Sequence, residues 1–81
     1  HTGYENIYLF PNPAHDEIYF SPMENFTELE CVLTDLYGRQ LKRLLINAKS
    51  KVEISELSSG VYMYTLQQGT KIVKIGKFIK Q

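Results

Sequence analysis

Between Gly60 and Gln67 the chain alternates without a break, with Tyr62, Tyr64 and Leu66 on one side and Val61, Met63 and Thr65 on the other. A period of two is the repeat of a strand with one buried face. Wound as a helix, the same residues would scatter apolar groups around the whole cylinder. Shorter runs of the same kind recur between turn residues, and the spacing predicts strands over 6–10, 17–21, 29–35, 40–46, 51–55, 60–67 and 70–80. Runs this short, joined by hairpins with no helical crossover, exclude a parallel α/β sheet and leave an all-β antiparallel sandwich of about seven strands. The strand over 60–67 is expected at its centre.

Local chemistry supports these divisions. Pro11-Asn12-Pro13 ends the first strand, since each ring removes a backbone donor and fixes φ. Ile18 and Phe20 share a face, as do Leu29, Cys31 and Leu33, and Leu41 is expected inward. Asp35-Leu36-Tyr37-Gly38 has Asp first and Gly fourth, the pattern of a type I turn closing on a left-handed residue in a three-residue hairpin loop. Val52 and Ile54 alternate with Lys51, Glu53 and Ser55, and Leu57 tucks in before the reversal at Ser58-Ser59-Gly60. In the last strand Val73, Ile75 and Ile79 alternate with Lys74 and Lys80, and Gly76 is read as a bulge. Pro22 to Thr27 and Asn47 to Ser50 read as loops.

At 81 residues the chain is predicted to be one domain, 1–81, with residues 1–5 a linker or an artificial remnant. One cysteine permits no internal disulfide and too few ligands for a Cys-based zinc site, so no cofactor is expected. No run approaches the roughly 20 apolar residues of a membrane helix, and none opens the chain as a signal peptide would, so no membrane insertion is expected. Net charge is zero, but residues 1–40 carry −6 and residues 41–81 carry +6. That gradient favours antiparallel mixing of the two halves over a basic face, and no aromatic–arginine interleaving suggests nucleic acid.

Catalytic material is thin, and the chain is not expected to be an enzyme. His15-Asp16 is the one tempting pair, yet neighbours in an extended segment point to opposite faces, and a turn-capping role suits them better. Glu28 and Glu30 fall short of the six or more oxygens a hard cation wants and read as a solvated edge. Asn25-Phe26-Thr27 matches the glycosylation pattern, which is short enough to arise by chance. Tyr4, Tyr8, Tyr19 and Tyr37 are left as candidate surface rings, the basis of an alternative reading as a carbohydrate-binding or adhesive module. A structural spacer is a third.

Four landmarks occur in order: Pro11-Asn12-Pro13-Ala14 followed by Ile18; Thr34-Asp35-Leu36-Tyr37-Gly38-Arg39; Ile54-Ser55-Glu56-Leu57-Ser58-Ser59-Gly60-Val61-Tyr62; and Lys77-Phe78-Ile79-Lys80. Together they resemble the C-terminal sorting domain of cargo exported by the type IX (Por) secretion system of Bacteroidetes, over about Tyr8 to Gln81. Tyr37 departs from the Gly, Lys or Thr common near that place in the family. The resemblance implies an immunoglobulin-like β-sandwich at the end of a cargo that passes through the periplasm to the cell surface or beyond. It also implies partners: the translocon, an outer-membrane shuttle protein and a cell-surface sortase that removes the domain. On the residues, Pro11, Pro13, Gly38 and Gly60 set turns, and Leu57 and Tyr62 fill the core. Arg39 and the tail from Lys77 to Lys80 are the expected exposed, recognised parts. A last strand at a sheet edge would suit docking by strand addition, or pairing with a second copy.

Overall fold

The computed structural model describes residues 7–21, 28–47 and 50–81. Seven strands follow in chain order: β1 Tyr8–Phe10, β2 Glu17–Ser21, β3 Leu29–Thr34, β4 Gln40–Ile46, β5 Val52–Glu53, β6 Gly60–Gln68 and β7 Lys71–Lys80. They form two antiparallel sheets, ordered β1-β2-β5 and β4-β3-β6-β7. The uninterrupted alternation of β6 matches its interior place, with β3 on one side and β7 on the other. Residues 1–6, Tyr4 among them, the segment from Pro22 to Thr27 with its glycosylation pattern, and residues 48 and 49 of the loop read over 47–50 lie outside the described residues.

The core fills from both sheets. Ile18, Phe20 and Val52 face Leu29, Cys31, Leu33, Tyr64, Leu66 and Phe78, with Leu41 and Leu57 packed against them from the margin. Phe20 meets Tyr64 edge to face at 5.1 Å between ring centres, a contact that ties one sheet to the other. Burial pushes the Cys31 thiol up to about 12, so it behaves as a small apolar residue. Across the sheets and hairpins the acidic first half meets the basic second half, in Arg43 with Glu30 at 2.6 Å and Lys51 with Glu17 at 3.3 Å. The charge gradient is thus resolved by mixing.

Two strand readings need correction. β5 is only Val52–Glu53, although Val52 and Ile54 are both inward as expected. Ile54 N–H bonds the Asp16 carbonyl and carries the β2–β5 register one place further, but Leu57 N–H bonds the Ile54 carbonyl, so the chain turns directly after it. In β7 the bulge lies at Val73 and not at Gly76. Leu66 pairs with Lys74 but Gln67 pairs with Ile72, which makes Val73 the extra residue of a bulge. Beyond it the faces switch: Phe78 and Lys80 point inward, at 1% and 9% exposure, while Ile75 and Ile79 point outward.

Gly76 is regular in the ladder and has another purpose. It lies opposite Tyr64, and a Cβ there would sit 2.5 Å from the tyrosine hydroxyl and 2.6 Å from two ring carbons. Glycine gives the ring its room.

Candidate recognition site

Strand register gathers all four sequence landmarks at one end of the sandwich. Thr34 pairs with Met63, and Gly60 with Lys80, so the β3–β4 turn, the start of β6 and the end of β7 share a rim. Ala14 bridges to Lys80 in parallel fashion and adds the Pro11–Ala14 segment to that rim.

The turn is built around one carboxylate. Gly38 N–H donates to the Asp35 carbonyl at 3.1 Å, and Gly38 has φ of 84°, the left-handed conformation that glycine adopts without steric cost. Asp35 Oδ1 accepts from the Tyr37 and Arg39 N–H groups, each at 2.9 Å, and Oδ2 accepts from Arg39 Nε at 3.0 Å. The backbone bond from Arg39 is the chief reason the Asp35 carboxyl lies below its usual range. Arg39 itself projects into solvent with its side chain 78% exposed, and among the described residues only its Nε is bonded. Tyr37 is exposed beside it, so the departure from the family pattern leaves the turn intact.

Glu56 to Tyr62 forms the other wall of a groove of about 450 Å³ between this turn and the β5–β6 loop. Leu57 is half-buried, Val61 is 40% exposed and Tyr62 is buried. The Tyr62 hydroxyl donates to the Ser58 carbonyl at 2.5 Å, pinning its own approach loop, and its ring stacks on Phe78 at 5.7 Å. Glu56 pairs with Lys42 at 2.9 Å, a bond that lowers its carboxyl below the usual range.

The Pro11–Ala14 segment acts as a strap on the outer edge of β7. Asn12 Oδ1 accepts from Ile79 N–H at 3.0 Å. Ala14, fully buried, donates its N–H to the Ile79 carbonyl at 2.7 Å, and its own carbonyl accepts from Gln81 N–H at 2.8 Å. Pro11 and Pro13 are exposed on either side of Asn12, and both X–Pro bonds are cis.

The landmarks therefore come together, but their exposed parts differ from the sequence reading. Arg39, Lys77 and Ile79 are exposed, as expected; Phe78 and Lys80 are not. Phe78 belongs to the core, and Lys80 lays its stem into the mouth of the sandwich with Nζ donating to the Gln81 carbonyl at 2.9 Å. Sequence reasoning also missed Asn12 as a bond to β7. The signal available was its position between two residues without N–H groups.

The remaining candidates stay apart from this rim. Among the described residues the side chains of His15 and Asp16 have no bonding partner, and it is the Asp16 carbonyl that accepts from Ile54 N–H. The Tyr19 hydroxyl bonds Glu17 at 2.5 Å, which is the leading cause of a raised phenol and a lowered carboxyl, and its ring stacks on Phe10 at 5.5 Å. Tyr8 has the Lys74 ammonium over its face at 5.9 Å.

Layout and register define the class: an antiparallel two-sheet β-sandwich of immunoglobulin-like form, with its sequence landmarks on one rim. Residues 8–81 match the family model described as the secretion system C-terminal sorting domain, and the chain belongs to that family, the sorting domains of type IX secretion. Comparison with curated proteins gives no match. Membership makes the domain a C-terminal sorting signal for a cargo destined for the cell surface or the medium.

Proposed function

We propose that the rim formed by the strap, the Asp35 turn, the β5–β6 loop and the end of β7 is the part of the signal that other proteins read. The translocon and an outer-membrane shuttle protein bind it while the cargo is in the periplasm, and a cell-surface sortase later removes the domain. In that role the domain is a substrate and not an enzyme, and it needs no cofactor. One observation carries the reading: landmarks separated by up to 67 positions in the chain meet through bonds such as Asn12 with Ile79. Folding alone would be served by turn residues scattered over both ends.

A truncation from Phe78 onward removes a core ring, so it would report folding and export together. Transfer of the whole domain is cleaner. Residues 1–81 fused behind a periplasmic reporter in a host with type IX secretion should bring that reporter to the surface. A reporter left in the periplasm, with the fused domain folded, would overturn the proposal.

A further inference from the structure

β7 is an edge strand, and the strap closes only its last part. The bonds of Ile79 to Asn12 and Ala14 show that its N–H and C=O face away from β6. In an antiparallel ladder these directions alternate, so Lys77 and Ile75 also turn their N–H and C=O outward. Among the described residues no strand pairs with that stretch. Their side chains stand on the outer face of the four-stranded sheet, Ile75 54% exposed and Lys77 exposed.

The charge on this stretch is one-sided. Among the described residues the Lys77 side chain has no ion-pair or hydrogen-bond partner, and the outward residues beside it, Val61, Met63, Thr65, Ile75 and Ile79, carry no carboxylate. The nearest row with an acid holds Glu30, which is occupied by Arg43. β7 contains four lysines and no acidic residue, so pairing two copies edge to edge would bring like charges together.

We propose that Ile75–Lys77 is the docking edge for an extended segment of a partner protein, which adds to the sheet as a strand and stops at the strap. The segment carries a carboxylate facing Lys77 and an apolar side chain against Ile75. This rests on the sorting reading above and names the partner's chemistry: an acidic, strand-forming peptide rather than a second copy of the chain.

The test is an NMR titration of the ¹⁵N-labelled domain with two strand-length peptides, one alternating valine with glutamate and the other valine with lysine. The acidic peptide should shift and protect the Ile75 and Lys77 amides, with an affinity advantage up to about fivefold for one favourable cross-strand charge pair. Lys77→Glu should reverse the preference. Equal response to both peptides, no response, or shifts centred on the β4 edge would overturn the proposal. Concentration-dependent shifts at Ile75 and Lys77 without peptide would make the occupant a second copy and overturn it as well. The titration is independent of export: failure here with successful transfer of the reporter leaves the sorting function standing, and the converse outcome rejects sorting alone.

Discussion

Replacing Gly76 by alanine reverses an ordinary expectation. In a strand interior glycine is usually the weaker residue, by roughly 0.5–1 kcal/mol relative to alanine. Here the new methyl group would lie 2.5–2.6 Å from three atoms of Tyr64. That ring cannot simply swing away: it is 5% exposed and held edge-on against Phe20. Overpacking of a filled core costs about 1–3 kcal/mol, enough to outweigh the gain in strand propensity. The net loss is roughly 0.5–2 kcal/mol, and with a urea dependence of about 1 kcal/mol per molar for a domain of this size the unfolding midpoint should fall by roughly 0.5–2 M. In a Tyr64→Leu background the same Gly76→Ala change should cost little, and the difference between the two backgrounds measures the contact. An unchanged or raised midpoint for Gly76→Ala in the native background would refute the placement of the ring over the glycine.

Two further outcomes follow from the rim. Asn12→Ala removes the acceptor of Ile79 N–H and should cost about 1 kcal/mol while speeding hydrogen exchange at Ile79; unchanged exchange there would contradict the strap. Asp35 has a folded-state carboxyl below its ordinary 3.8, so its stabilisation is fully present above that value and is lost as pH falls through the folded one. Urea midpoints of the native protein and Asp35→Asn should therefore converge below about pH 4, and a gap that stays constant with pH would contradict the role of the carboxylate.

Much of this fold is legible in local patterns. Alternation set the faces of β2, β3 and β6, and Asp35 with Gly38 set a turn whose bonds lie within five residues. What local patterns could not show was fixed by distant partners. The phase of β7 depends on the bulge at Val73, which arises from its pairing with Leu66 and Gln67. Read alone, Ile75 and Ile79 look like core residues and Lys80 like a surface one. The strap depends on an asparagine meeting a strand at the other end of the sequence. The charges behaved more simply, since pairing between the halves needed only antiparallel neighbours.

The central claim is that exposed residues of this rim carry the sorting signal separately from the fold they sit on. Arg39→Ala with Ile79→Ser changes two side chains that point outward, leaving Phe78, Tyr62 and the strap bonds in place. The measurement is the surface display of a reporter fused to this double variant, with its folding checked by the same urea transition. The expected result is a folded domain whose reporter stays in the periplasm. A folded variant displayed at the level of the native domain would contradict it.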